Sequence, residues 1–231
     1  QNVSIYGHRE NDLVRLPDPT NVLKYPHIAM TGPAQRGYVV SASSQFSTYN
    51  PYEAFDENNP VGGNTGSGAG WAASGPGATA DTYVGATGLD VGTTSHHSGS
   101  VTGEWIQIEL PHALTLSSID IESRSETTYG TDHGYPKEVV LYGSTNGSSW
   151  GLVKDFATTN KFTSAKHTEA ITSSTAYKYY ALVIESIHVG NTSTVVTWCS
   201  IGQIRLYGTG VDSVPIQIGG GNIDKVANFR V

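Results

Sequence analysis

The fold of this 231-residue chain is decided by a stretch near its middle, in which apolar and polar residues alternate. The stretch reads GEWIQIELP at 103–111, LSSIDIESR at 116–124 and GYPKEVVLYGS at 134–144, and the turn dipeptide Asn146-Gly147 follows. A period of two residues places one face of a strand inside the protein and the other outside. Asn-Gly supplies a positive φ at low cost and is typical of tight hairpins. The stretch therefore predicts consecutive strands in the middle of an antiparallel β sandwich.

Further strands are predicted on both sides of this stretch. They cover residues 38–44, 151–156, 166–171, 177–184 and 201–208. Turn signals between them fit an antiparallel sandwich. A short helix is expected after the first of these strands, with Asn50 as a cap, Pro51 in its first turn, and Ala54 and Phe55 buried.

The chain is expected to have three parts. Residues 1–37 are rich in proline breaks and predict an extended N-terminal arm. Residues 38–208 form the sandwich, and residues 209–231 form a linker and a C-terminal strand that pairs with the arm or belongs to a neighbouring module. Within the sandwich, the glycine-rich residues 60–102 make a connection so long that it is either functional or disordered.

Composition and charge exclude several classes of function. The net charge of −7 argues against binding of nucleic acid, which requires clustered Lys and Arg. Membrane insertion is not expected, because Phe46 is the one obvious apolar loop tip in an acidic chain. Cys199 is the single cysteine, so no intramolecular disulfide forms, and we expect it to be a small buried hydrophobe. No secretory signal precedes the fold, which indicates a mature or excised piece.

An enzyme is not expected. The chain has no phosphate-binding loop before a Lys, no His-Glu-x-x-His and no Cys nucleophile with a placed His. Paired carboxylates for sugar hydrolysis are the one catalytic arrangement that the sequence leaves open, because such partners come from distant strands.

A set of short motifs occurs in a definite order along residues 38–208. It comprises ASS at 42–44, AFD at 54–56, Trp71, WIQIEL at 105–110, IDI at 119–121 with Arg124, GYPK at 134–137, LYGS at 141–144, YYAL at 179–182 and IGQIRLYG at 201–208. In this order they resemble the discoidin domain, also called the coagulation-factor C-type domain, and the related family-32 carbohydrate-binding modules. The resemblance implies an all-β fold, an eight-stranded antiparallel jelly-roll sandwich of the galactose-binding-like type, with binding carried by loops at one end.

The resemblance also implies a structural calcium ion near the Phe-Asp motif. Calcium takes six to eight oxygen ligands. Asp56 matches the acidic ligand of the family, Asn58 and Thr65 offer further oxygens, and Gln203 stands where the family commonly has a glutamate. Two features depart from the family pattern: Gln203 offers only a neutral oxygen, and Asp-Gly-Asn has become Asp56-Glu57-Asn58. The alternative is that the Asp56 side chain caps local backbone N–H groups.

Glycan binding requires aromatic faces for sugar C–H surfaces and planar polar groups for hydroxyl pairs. The loop candidates are Tyr49, Arg124, Tyr129, His133 and Trp198. Arg124 follows a strand, and it either faces a ligand or pairs with an acidic group such as Glu126 or Asp132. Trp198 has a core position as its alternative, and His133 with Tyr129 is the pair most favoured for sugar contact.

These observations predict a non-catalytic, lectin-like domain for cell-surface or matrix glycans, located outside the cell or on a virion surface. Residues 12–38 and 225–231 resemble segments that border such domains in multidomain surface proteins of large algal viruses, and the last segment resembles the final strand of a laminin-G-like module. The alternative is a structural spike or capsid-decorating domain whose partners are other structural protein subunits.

Overall fold

The computed structural model describes residues 22–58, 70–73, 89–93, 98–101, 103–124, 133–156, 166–189, 198–211, 217–218 and 221–222. Within them the chain is mostly β structure, with a 3₁₀ helix at Pro51–Phe55. The strands are β1 (Leu23–Tyr25), β2 (Ala34–Gln35), β3 (Tyr38–Ala42), β4 (Trp71–Ala72), β5 (Leu89–Thr93), β6 (Ser98–Val101), β7 (Glu104–Glu122), β8 (His133–Ser144), β9 (Trp150–Asp155), β10 (Lys166–Ala170), β11 (Ala176–Val189), β12 (Ser200–Ile201), β13 (Gln203–Val211), β14 (Gln217–Ile218) and β15 (Gly221–Asn222). No helix in this part of the chain is both long and apolar enough to cross a bilayer.

Strand β7 is the longest element and belongs to both layers of the sandwich. Its burial alternates residue by residue from Glu104 to Ser117, as the predicted period of two requires, and Ile119 to Ile121 are then buried consecutively. Two separate strands were expected here, but the chain continues as one through Pro111. The pairing explains this: β3 pairs with β7 only up to Glu109, and β13 pairs with it only from Ala113 onward. The pairing with β11 shifts register between Glu109 and Leu114. Pro111, which has no N–H to donate, therefore lies where β7 changes partners.

The two halves of β7 organise two antiparallel layers. The first half pairs with β3 and β11, and β8 and β9 continue that layer. The second half pairs with β10 and β13, and β1 adds to β13. The inward side chains of both halves share one apolar core, which includes Ile106, Ile108, Ile119 and Ile121. The predicted antiparallel jelly-roll sandwich is thus confirmed.

A second apolar cluster lies on the other face of the first layer. It contains Val140, Tyr142, Trp150, Ala181 and Val183, all buried. Leu182 belongs to the main core, so consecutive residues of β11 enter two different clusters. The β5–β6 hairpin contacts β9, the edge strand of this layer. Both faces of this sheet are apolar, so both must be covered by other parts of the protein and not exposed to water.

The described part of the N-terminal arm packs on the sandwich. Strand β1 pairs with β13, and Tyr25 and Met30 are buried in the main core. The expected short helix forms with Pro51 in its first turn and with Ala54 and Phe55 buried. Asn50 is the N-cap residue, as expected, but its side chain makes no capping hydrogen bond and instead donates to Thr48 O and Glu53 Oε1. Residues 1–21, most of 60–102 and the predicted C-terminal strand lie outside the described residues.

Candidate ligand-binding site

The loop that follows β3 is anchored at several points. The hydroxyls of Ser43 and Ser44 both donate to Glu104 Oε2, from Ser44 over 2.8 Å. Trp71 Nε1 donates to Ser44 O over 3.0 Å, and Phe46 N donates to Ala72 O over 2.8 Å. The buried carboxylate of Glu104 and strand β4 therefore fix the base of this loop against the sandwich.

The same strand β4 brings a distant segment to the loop. β4 pairs with β12, and Ala73 N donates to Cys199 O over 2.8 Å. Trp198 consequently lies beside the loop, although it is about 150 residues further along the chain. Strand pairing, rather than nearness in sequence, assembles this end of the domain.

Three aromatic rings and one guanidinium form a stack at this end, which we call the aromatic ladder: Trp198, Phe46, Tyr49 and Arg124. The Trp198 and Phe46 ring centroids are 5.7 Å apart with planes inclined by 21°. Phe46 and Tyr49 are 6.4 Å apart and nearly parallel, at 5°. A turn in which Tyr49 N donates to Phe46 O produces that spacing. Phe46 is the exposed member, at 39%.

Arg124 closes the ladder on its inner side. Its Cζ lies 3.8 Å from the centroid of the Tyr49 ring, within the range of a cation–π contact. The side chain is only 3% exposed, and the Tyr135 hydroxyl donates to the Arg124 carbonyl. The guanidinium is thus buried against Tyr49, and the pairing of Arg124 with an acidic group stays a prediction. The expected acidic partners Glu126 and Asp132 lie outside the described residues.

The structure gives only partial information on the two other predicted glycan-binding residues, Tyr129 and His133. Tyr129 lies outside the described residues, and for His133 the backbone position alone is described, at the start of β8. The next residue, Gly134, has φ +76°, and a Cβ there would lie 2.8 Å from Trp198 O. The start of β8 therefore abuts the Trp198 end of the ladder. The pairing of His133 with Tyr129 stays a prediction.

The residues predicted to hold calcium form a hydrogen-bonded group. Asp56 Oδ1 accepts from Asn58 N over 2.8 Å and from Gln203 Nε2 over 2.7 Å. Gln203 Nε2 also donates to Glu53 O over 3.0 Å, while Gln203 Oε1 accepts from Glu57 N over 3.0 Å. The oxygen of Gln203 is thus engaged by an N–H group. Thr65 lies outside the described residues.

This arrangement does not fit a calcium shell. Calcium requires several oxygens directed at one point, whereas Gln203 directs its N–H donors at Asp56 and at the Glu53 carbonyl. The described residues contain no group of three or more His, Cys, Asp or Glu side chains arranged to hold an ion. Burial raises the pKa of Asp56 above its ordinary value, although bonds from Asn58 and Gln203 oppose that rise. The alternative in which Asp56 caps backbone N–H groups matches its bond from Asn58.

The domain is identified by comparison with known families. The sequence model described as the F5/8 type C domain matches residues 39–201. The chain belongs to this family. No sequence among the curated proteins matches the chain.

Several solved structures are similar to this F5/8 type C domain. CBM32-3 from a family 31 glycoside hydrolase of Clostridium perfringens is 15% identical with a TM-score of 0.47, covering 83% of this chain and 93% of that one. The family 32 CBM of C. perfringens NanJ in complex with galactose is 16% identical with a TM-score of 0.45, covering 74% and 93%. The CBM32 of AlyQ in complex with 4,5-unsaturated mannuronic acid is 16% identical with a TM-score of 0.44, covering 73% and 92%. The family assignment rests on the sequence model.

Sequence reasoning missed one member of the ladder. The sequence predicts an apolar loop tip at Phe46 and a ligand-binding residue at Tyr49, but it does not predict that the two side chains meet. The spacing of three residues inside a polar loop was the available signal, since a tight turn brings residues i and i+3 together. The contact with Trp198 had no signal in the sequence.

Proposed function

We propose that this F5/8 type C domain is a non-catalytic carbohydrate-binding module that holds its ligand on the exposed side of the aromatic ladder. The observation that carries the proposal is the position of Phe46, exposed at a loop end between the rings of Tyr49 and Trp198. The C–H groups of a pyranose pack well against exposed apolar ring surface of this kind, which water solvates poorly.

Polar groups around Phe46 complete the proposed site. Gln45, Ser47 and Thr48 are exposed on the same loop and offer amide and hydroxyl groups to sugar hydroxyls. The loop is held in shape locally, because Gln45 Nε2 donates to Ser47 O over 2.9 Å. A shallow site of this kind binds weakly on its own and gains strength by repetition on a larger assembly.

The proposed ligands are neutral glycans of a cell surface or matrix. Recognition of a sulfate or carboxylate calls for an accessible cation, and the cation that contacts the ladder, Arg124, is buried against Tyr49. The net charge of −7 also disfavours polyanionic chains. An extracellular or virion-surface location follows from this choice of ligand and is part of the proposal.

An array of neutral and anionic glycans, followed by calorimetric titration of the hits, tests the proposal. Phe46→Ala should weaken binding about tenfold or more, corresponding to about 1.4 kcal/mol, and Trp198→Ala should weaken it similarly. Val39→Ala is the matched control, because Val39 is also an exposed apolar residue but lies on β3 outside the ladder. Its affinity should equal that of the unmodified domain.

Two results would contradict the proposal. A blank array from the folded domain would favour the structural role, in which the exposed aromatic residues contact protein subunits. Equal affinity in Phe46→Ala and the unmodified domain would place the site elsewhere. The N-terminal arm and the C-terminal segment lie largely outside the described residues, and the structural alternative stays a prediction.

A further inference from the structure

Gln203 lies at the junction between the last long strand and the 3₁₀ helix. It begins β13, it is fully buried, and its main-chain neighbour across the sheet is Glu122. Its side chain reaches the segment 53–57 at three points: it donates to Glu53 O and to Asp56 Oδ1, and it accepts from Glu57 N. The segment that precedes the glycine-rich insertion is thus tied to the sandwich by one amide group.

The orientation of this amide is determined by its partners. In the observed orientation, the NH₂ group meets two acceptors and the carbonyl oxygen meets one donor. The flipped orientation would place the Gln203 oxygen against two oxygens and its NH₂ group against the Glu57 N–H. Buried polar groups rarely tolerate such mismatches, since each leaves a desolvated group without a partner.

The two acceptors bonded by Gln203 are groups that a hard cation would otherwise take. A backbone carbonyl and a carboxylate oxygen are typical calcium ligands, and here Nε2 bonds to both within 3.0 Å. We propose that the Gln203 amide takes the place of a bound cation, so that the 53–57 segment is held without calcium. This inference is independent of the proposed glycan site.

The proposal implies that the residue at position 203 determines whether the 53–57 segment is held by hydrogen bonds or by a bound cation. A glutamate there would lose the two donated bonds and place a second carboxylate beside Asp56. Two adjacent carboxylates repel each other, and a divalent cation relieves that repulsion. Gln203→Glu should therefore create a dependence on calcium that the natural domain does not have.

Thermal unfolding of the domain in chelator and in excess calcium tests this inference. The unmodified domain should have the same Tm in both conditions. Gln203→Glu should lose roughly 10 °C in chelator and recover at least about half of that loss in calcium, with less recovery in magnesium. Gln107→Glu is the matched control, because it adds the same charge at a half-buried glutamine of β7. It should show no response to calcium.

A second variant keeps the test decisive if Gln203→Glu does not fold. Asp56→Asn retains the Oδ1 acceptor for Gln203 and Asn58, so its Tm should stay within about 3 °C of the unmodified domain in either condition. A calcium site would instead lose its carboxylate and most of its stability.

Three results would overturn the inference. These are a Tm of the unmodified domain that falls in chelator and recovers with calcium, a folded Gln203→Glu that ignores calcium, and a large loss of stability in Asp56→Asn.

Discussion

At the residue scale, burial makes ionisation of the Asp56 side chain less favourable. Its folded-state pKa is raised above the ordinary value of 3.8, chiefly by burial and further by the charge of Glu53. The folded state therefore retains a proton that the unfolded state releases. The stabilisation that this provides is fully present below the unfolded pKa and is lost as the pH rises through the folded pKa.

A comparison of the unmodified domain with Asp56→Asn checks this sign. As the pH rises from 3 to 7, the Tm of the unmodified domain should fall relative to that of Asp56→Asn, because only the carboxylate must be ionised in a partly buried site. Measuring the difference between the two proteins cancels the titration of other groups. A bound cation would depress the pKa of Asp56 and reverse the trend, so the opposite slope would contradict the assignment.

Arg124 shows a limit of sequence reasoning at the same scale. The sequence placed it at a strand end and left two roles open, facing a ligand or serving the structure. Either role suits an arginine, because its planar guanidinium can form bidentate hydrogen bonds with polar groups and can also stack on aromatic rings. Only the three-dimensional structure shows that the side chain is buried and stacked on Tyr49.

At the element scale, the start of β8 controls the Trp198 end of the aromatic ladder. Gly134 has a positive φ, and the space where a Cβ would lie is occupied by Trp198 O at 2.8 Å and by the indole ring at 3.2 Å. The left-handed backbone and the close approach both require glycine at this position.

Gly134→Ala should therefore cost about 1–3 kcal/mol of stability and should weaken glycan binding by displacing Trp198. Chemical unfolding and calorimetric titration measure the two effects. Gly32→Ala is the control, because nothing lies within 4 Å of a Cβ at Gly32, and its stability and affinity should match those of the unmodified domain. If Gly134→Ala is destabilised but its affinity for glycan is unchanged, the start of β8 does not influence the binding site.

The loop that carries Phe46 depends on a buried acidic residue. Glu104 is fully buried at the first position of β7, and its Oε2 accepts from both serine hydroxyls at the base of the loop. Charge-assisted bonds of this kind are stronger than neutral ones. The longest strand of the sandwich thus also determines where the exposed ring of the site stands.

At the scale of the whole molecule, the first layer of the sandwich is apolar on both faces. Leu182 and Val183 are consecutive residues of β11, and both are buried, Leu182 in the main core and Val183 in the second cluster. In a sandwich with one solvated face, only one of the two would contribute much to stability.

Both Leu182→Ala and Val183→Ala should therefore destabilise the domain, by about 2–5 and about 1–3 kcal/mol. Val39→Ala, at an exposed position of β3, should change stability by less than about 0.5 kcal/mol. Denaturant unfolding gives all three values. A neutral Val183→Ala would mean that the second cluster does not contribute to the folded state in solution.

Local patterns in the sequence predicted most of the long strands, because an alternation of two residues and an Asn-Gly turn are local properties of the chain. The sequence also predicted the buried Ala54 and Phe55 and the family of the domain, since these depend on motifs and their order. It did not predict that β7 runs through Pro111, because the change of partners at that point depends on strands that come from elsewhere in the chain.

The way in which distant segments meet could be read only from the folded chain. Phe46 and Trp198 stack because β4 pairs with β12 and carries both segments to one end of the sandwich. Gln203 donates to Asp56 instead of offering it an oxygen, because the Glu57 N–H occupies the carbonyl side of its amide. Local patterns determine which residues can form strands, turns and contacts. The choice among those contacts is made by pairing and burial between segments that the sequence keeps far apart.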